Sequence, residues 1–316
     1  MRKIPFLIFA TVVIFVASIG PARSTQRDSR TTKSKDLAKT IQVEVEMVLV
    51  NVGVIDLQNR PVTDLQKDNF RLFENNVEQE IVSFSHQDAP TSIGIIFDTS
   101  GSMGDKIARS REAFMRLLKT ANPQDEFSLV SFATHAKLMS AFTSNIEELH
   151  EAISSTKPFG QTALLDAIHL AMSHVKYAHN QRCAMVVISD GGDNSSWHSE
   201  SRIRKDLKEA DCPLYAIGIY SRRDMTLTLE ERNGPGLLSE LAEITGGHAF
   251  ETWKLDELPG IAAEISLEIR DQYLLGYRPG TPHDGRWRGI KVKVKPPANR
   301  PPLHVYARSG YYSPRD

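Results

Sequence analysis

Ile93-Gly94-Ile95-Ile96-Phe97-Asp98-Thr99-Ser100-Gly101-Ser102-Met103 is the stretch on which the reading of this chain turns. Five apolar or small residues run without a break into Asp98, and two serines and two glycines follow within six positions. A short apolar run bounded by turn residues reads as a strand buried on both faces. Asp98 then stands where that strand leaves the sheet. In an open α/β sheet the carboxyl ends of the strands are where ligands bind. One carboxylate and two hydroxyls, spaced two residues apart, make an all-oxygen donor set. Such hard donors suit Mg²⁺, Mn²⁺ or Ca²⁺ and suit zinc or copper poorly. The competing reading is a plain turn, which uses the same residue types.

Outward from this stretch, strand and helix patterns alternate from about residue 90 to 270. Strands are expected at 92–97, 126–133, 137–142, 184–189, 214–220 and 248–251. The second and third of these form a hairpin. Helices are expected at 105–121, 145–154 (with Asn145 as N-cap), 162–177, 201–210, 236–245 and 255–274. Gly246-Gly247 supplies a stop signal for the fifth helix. Alternation of this kind predicts an α/β fold, a doubly wound and mostly parallel sheet covered by helices.

The motif Asp98-x-Ser100-x-Ser102 resembles that of the von Willebrand factor A (VWA) family. In that family it forms the metal-ion-dependent adhesion site, completed by a Thr and a second Asp from two later loops. The resemblance implies Thr162 for the first, in Phe-Gly-Gln-Thr-Ala-Leu-Leu-Asp-Ala, where Gln161 replaces a usual Gly. It implies Asp190 for the second, at the end of Ala-Met-Val-Val-Ile-Ser-Asp-Gly. The implied metal set is therefore Asp98, Ser100, Ser102, Thr162 and Asp190, holding Mg²⁺, or alternatively Mn²⁺ or Ca²⁺. The implied role is protein binding, with an exposed Asp or Glu of a partner completing the coordination. Asp166 and Asp193 lie close in sequence and are alternative contributors.

The flanks read as β. The segment 41–54 alternates apolar and polar residues. The segment 62–84 holds two short strands about an Asn75-Asn76 turn. Further strands are expected at 273–277, 289–295 and 303–308. Each flank is too short to be stable alone. The expected arrangement is one small β-sandwich-like module, built from 40–88 and 273–316, with the VWA domain at 89–272 inserted in it. This layout resembles a group of bacterial exported VWA-related proteins, through matching patterns at 43–56, 61–70 and 306–312.

Composition fits a globular protein: 41% apolar, 24% charged, net charge −1 over 316 residues. Without a basic excess or a nucleic-acid motif, no nucleic-acid partner is expected. Arg2 and Lys3 precede an apolar run that ends at Ile19, and small residues follow up to Ser24. Residues 1–24 are read as a secretory signal peptide, with an uncleaved anchor as the alternative and the sole expected membrane tie. Residues 25–39 are polar and read as a disordered spacer. The expected location is periplasmic or extracellular. Cys183 and Cys212 each precede an apolar strand. If the two strands are neighbours, the cysteines lie near disulfide distance; the alternative is two buried thiols.

Enzyme readings find little. A dehalogenase-type phosphatase needs an acid two residues after the strand-end Asp, and Ser100 stands there. There is no G-x-S-x-G elbow, P-loop or H-E-x-x-H. No small-molecule substrate is expected. The expectation is a metal-dependent adhesion-type module, not an enzyme. A metal-assisted hydrolase and a structural envelope protein with a stabilising metal are the alternatives.

Overall fold

Burial on both faces requires helices on both sides of a sheet, and the central sheet has them. The computed structural model describes residues 47–86, 88–220, 229–280, 283–297 and 300–315. The leader and spacer expected at 1–24 and 25–39, and residues 41–46 of the first expected strand, lie outside these. The described elements are β1 (Val48–Ile55), β2 (Phe70–Glu74), β3 (Val77–Gln79), β4 (Ile81–His86), β5 (Thr91–Asp98), α1 (Ile107–Thr120), β6 (Glu126–Phe132), β7 (Ala136–Thr143), α2 (Ile146–Ser154), α3 (Leu164–Val175), β8 (Arg182–Ser189), α4 (Glu200–Glu209), β9 (Leu214–Ile219), α5 (Leu229–Thr245), β10 (Ala249–Thr252), α6 (Leu258–Arg270), β11 (Tyr273–Tyr277), β12 (Trp287–Val294), β13 (His304–Ala307) and β14 (Gly310–Tyr312).

The central sheet has the order β10-β9-β8-β5-β6-β7. Only the β6–β7 pair is antiparallel, the expected hairpin; the other four pairings are parallel. All eight residues of β5 are buried. Ile93, Ile95 and Phe97 pack on one face against Phe114 and Leu117 of α1, Leu149 of α2 and Ile265 of α6. Ile96 points to the other face, among Leu165 and Ile168 of α3, Ile203 of α4 and Leu241 of α5. Each helix thus turns its apolar stripe to the sheet, as its 3.6-residue period dictates. Asn145 caps α2, its side chain accepting the Glu148 N–H.

The two flanks interleave. One four-stranded sheet has the order β13-β1-β11-β4 and the other β14-β12-β2-β3. Each draws strands from both ends of the chain. Their inner faces share one core, with Val50, Val52, Tyr273 and Leu275 from the first sheet and Phe70, Leu72 and Ile290 from the second. The Tyr273 hydroxyl donates to Val62 O at 2.7 Å and accepts from Leu65 N at 3.0 Å. The Tyr277 hydroxyl donates to the buried Glu74 at 2.6 Å. The sandwich meets the helical layer at Gly246 (φ +83°), where a Cβ would lie 2.3 Å from Arg308 N.

Three expectations need correction. The segment 62–84 yields three strands, not two. Asn75 and Asn76, at φ +48° and +67°, turn β2 into β3, and β4 crosses to the other sheet. The last helix does not reach residue 274: a 3₁₀ turn (Leu255–Glu257) leads into α6, which ends at Arg270. From Tyr273 the chain is needed as a strand between β1 and β4. The fifth helix begins at Leu229 and runs through Gly234-Pro235-Gly236, which reads locally as a break. Gly234 is where the helix approaches Gly191, and a Cβ on it would lie 2.7 Å from the Gly191 backbone. Cys183 and Cys212 are disulfide-bonded, with a Cα–Cα distance of 5.3 Å.

Candidate metal centre

The site grows from the end of β5. The last strand residue, Asp98, is fully buried. Its Oδ1 accepts the Ser100 N–H at 2.8 Å, and its Oδ2 accepts the Ser189 hydroxyl at 2.6 Å. Ser100 is buried and Ser102 exposed, and their Oγ atoms lie 3.0 Å apart. A single 3₁₀ turn (Gly101–Met103) brings the two hydroxyls to the same side.

The loop before α3 is zipped to this turn by its backbone. Gly101 N donates to Gly160 O at 3.0 Å, and Phe159 N to Thr99 O at 2.9 Å. Gly160 is at φ +85°, and a Cβ there would lie 2.4 Å from the Thr134 hydroxyl. Glycine is therefore required. Thr162 follows, 5% exposed, with α3 starting at Leu164 rather than at Thr162 itself. Asn194 Oδ1 accepts the Thr162 N–H at 2.8 Å, and the N–H groups of Asn194 and Ser195 donate back to Thr162 O.

Asp190 leaves β8 beside Asp98, close enough for its charge to act there. Burial first, and the Asp190 charge second, push the Asp98 carboxyl up to about 7. The two other candidate acids are engaged elsewhere. The Asp193 carboxylate accepts the Leu165 N–H and the Ser196 hydroxyl. Asp166 accepts the backbone N–H groups of Trp197 and His198 and lies 2.6 Å from His198 Nδ1. Both tie the 193–198 loop to α3.

The sequence reading missed three neighbours. Ser189 fixes one oxygen of Asp98. Lys106 is buried, with its ammonium 3.0 Å from Asp190 Oδ2. Its signal was its position eight residues after Asp98, at the foot of α1. Tyr220 follows β9; burial, then the charges of Glu251 and Asp190, raise its phenol above the usual range.

The donor set suits a divalent cation. Every donor is oxygen, two are carboxylates, and hydroxyls predominate. Two carboxylates meet at a buried strand end, with the Lys106 ammonium on Asp190. Clusters of three or more His, Cys, Asp or Glu able to hold a metal are absent among the described residues. A centre here would depend on the serine and threonine hydroxyls.

Residues 93–192 match the family profile of the von Willebrand factor type A domain. This stretch is a VWA-type domain. The match spans the candidate site from β5 to the loop after β8. In sequence, the chain is 29% identical over 132 residues to inter-alpha-trypsin inhibitor heavy chain H4 of Sus scrofa, covering 38% of this chain and 14% of that one. It is 25% identical over 184 residues to an uncharacterized protein of Borreliella burgdorferi, covering 51% of this chain and 54% of that one. The chain thus spans only a small part of the mammalian relatives' length and about half of the spirochaete protein's. In structure it is similar to a von Willebrand factor type A protein from Catenulispora acidiphila, with a TM-score of 0.51 and 12% identity over 77% of this chain and 75% of that one. That likeness is one of fold: helices flanking a mixed sheet. The VWA domain is an interaction-module type. Among the described residues no helix is long and apolar enough to cross a membrane.

Proposed function

We propose that this chain is a metal-dependent protein-binding module that works outside the cytoplasm and captures an acidic side chain of a partner protein. The observation that carries the reading is the buried Asp98, held by Ser100 and Ser189 beside Asp190, with its carboxyl pushed up to about 7. A carboxylate kept at such a cost calls for a cation. Ser100, Ser102 and Thr162 would bind the ion directly, and Asp98 and Asp190 would bind it directly or through water. A bound divalent cation supplies an open position that takes an anionic oxygen. The protein's part is orientation. Ser189 and the Ser100 N–H fix Asp98, and Lys106 fixes Asp190. The donor chemistry favours Mg²⁺, with Mn²⁺ next, because small hydroxyl ligands suit tight octahedral ions.

Export is proposed from the leader-like residues 1–24 together with the Cys183–Cys212 bond, which fits an oxidising compartment.

The test is Mg²⁺ titration of the wild type and Asp98→Ala, read by calorimetry and by thermal unfolding. Saturation at a hundredfold over Kd stabilises by about 2.7 kcal/mol. The wild type should gain that order of stability and the variant none. A wild type that ignores Mg²⁺, Mn²⁺ and Ca²⁺ alike would overturn the reading.

A further inference from the structure

We propose that the free edge of β10 is a second docking site, independent of the metal centre, that takes an extended basic segment of a partner protein as an added strand.

β10 ends the central sheet and pairs, in parallel, with β9 alone. In a parallel ladder a residue points its N–H and C=O to the same side, and successive residues alternate sides. His248 O accepts from Ala216 N, and Thr252 O accepts from Tyr220 N. Residues 248, 250 and 252 therefore face β9, and Ala249 and Glu251 face outward. Among the described residues, no backbone group pairs with the outward N–H and C=O of these two. An unpaired row of this kind is a template for another chain.

The edge opens into a groove. Between β10 and α6 lies a cavity of about 460 Å³, the scale of a ligand site. On the α6 wall Gly260 leaves room for a chain: a Cβ there would meet nothing within 4 Å. His248, stacked on Tyr306 at 4.6 Å, stands at the start of β10. Trp253, 5.8 Å from the Tyr220 ring, stands at its end. The two outward residues lie between these pairs.

Charge selects the occupant. Among the described residues the groove is lined by Glu251, Asp256, Glu257 and Glu264 and by no Lys or Arg. Asp256 is paired with Arg109, and Glu257 with Lys254. Glu251 and Glu264 make no ion pair among the described residues. Burial first, and the Glu268 charge second, raise the Glu264 carboxyl, while His248 acts the other way. These carboxylates bar a second copy of this chain, because two β10 edges side by side would bring Glu251 against Glu251. A strand bearing Lys or Arg meets the opposite charge both on the edge and on the wall. Main-chain hydrogen bonds would hold such a segment, and its alternate side chains would give selectivity.

The probes are three fluorescein-labelled peptides: Thr-Lys-Ile-Lys-Ile-Lys-Thr, the same peptide N-methylated at its three central residues, and Thr-Glu-Ile-Glu-Ile-Glu-Thr. Each is titrated into the full chain and read by anisotropy, in Mg²⁺ and in EDTA. The basic peptide should bind equally in both. Its N-methylated form should bind about tenfold weaker, the loss expected of two main-chain hydrogen bonds. The acidic peptide should not bind. The bound basic peptide should slow amide hydrogen exchange across residues 249–251. Glu251→Lys and Glu264→Lys should each weaken the basic peptide severalfold. Gly260→Trp, which fills the groove and keeps every charge, should do the same. All three variants should keep the wild-type Tm. Unchanged affinity in all three, or equal affinity of the N-methylated peptide, overturns the proposal. Binding that is lost in EDTA ties the peptide to the metal and overturns it too. A wild type blind to Mg²⁺ that still binds the basic peptide leaves this proposal standing and overturns the metal reading alone. No binding of the basic peptide at millimolar concentration overturns the proposal, whatever Mg²⁺ does to Tm.

Discussion

Two buried aspartates lie at opposite edges of the central sheet. Asp125, at the amino edge, accepts the Thr91 N–H at 2.7 Å and the Asn122 N–H at 2.9 Å. It fastens the starts of β5 and β6 together; burial raises its carboxyl, and the charges of Asp88 and Arg270 act on it in opposite directions. Asp98, at the carboxyl edge, also accepts two hydrogen bonds and also has a carboxylate neighbour, but the donors are Ser100 and Ser189 rather than the starts of two strands. The amino edge is closed further by the Cys183–Cys212 bond. The carboxyl edge displays three aromatics to solvent. One edge is built for stability. The other gathers two carboxylates at a buried strand end below exposed side chains, an arrangement suited to a ligand.

The sharpest way to break the contrast is at the amino edge. Replacing both cysteines with alanine removes a link across 29 residues and should cost ~3 kcal/mol. Thermal unfolding would show the loss, with the Mg²⁺ response intact. Asp125→Ala strands two backbone donors and should cost about 2 kcal/mol, again without touching the metal response. If either change abolishes the Mg²⁺ response, the two edges are not independent.

At the carboxyl edge the sign reverses. Asp98→Asn removes a buried charge and keeps the shape. In EDTA at pH 8 its Tm should exceed that of the wild type by on the order of 2–4 °C, equivalent to ~1 kcal/mol. Its Mg²⁺ response should vanish. A fall in Tm to match Asp125→Ala would mean that Asp98 serves structure as Asp125 does.

The smallest expected effect is in pH. The folded protein holds the Asp98 proton more tightly than the unfolded chain, so metal-free stability declines as pH rises from about 4 to about 7. Protons and Mg²⁺ compete for the same carboxylate. The Mg²⁺-induced rise in Tm should therefore be full at pH 8 and lost near pH 5.5. A response independent of pH across that range would remove Asp98 from the ligand set.

Much of this was legible in one dimension. The alternation of strands and helices, the β6–β7 hairpin and the Asn145 cap follow from local periodicity or spacing, whereas the disulfide stood open against two thiols until β8 and β9 proved to be neighbours. The stretch from Ile93 to Ser102 also pointed to the candidate site, because a buried strand must end where its polar residues begin. Two spans misled. Gly234-Pro235-Gly236 looks like a helix break because propensity is local, whereas its contact with Gly191 is not. Residue 274 looks helical by continuity with α6, yet β1 and β4 claim it as a strand.

The sequence by itself determined the α/β alternation and placed Asp98, Ser100 and Ser102 at one strand end, because periodicity and motif spacing are properties of neighbouring residues; Thr162 and Asp190 were implied by the family resemblance. The tertiary structure alone decided which carboxylates compete for the site. It engaged Asp166 and Asp193 in holding a loop, placed Lys106 on Asp190 and buried Asp98 beside a second carboxylate. It also wove the two flanks into shared sheets and left Phe159, Trp197 and Trp253 in water. Burial and charge pairing depend on residues far apart in the chain, and only the folded arrangement brings those residues together.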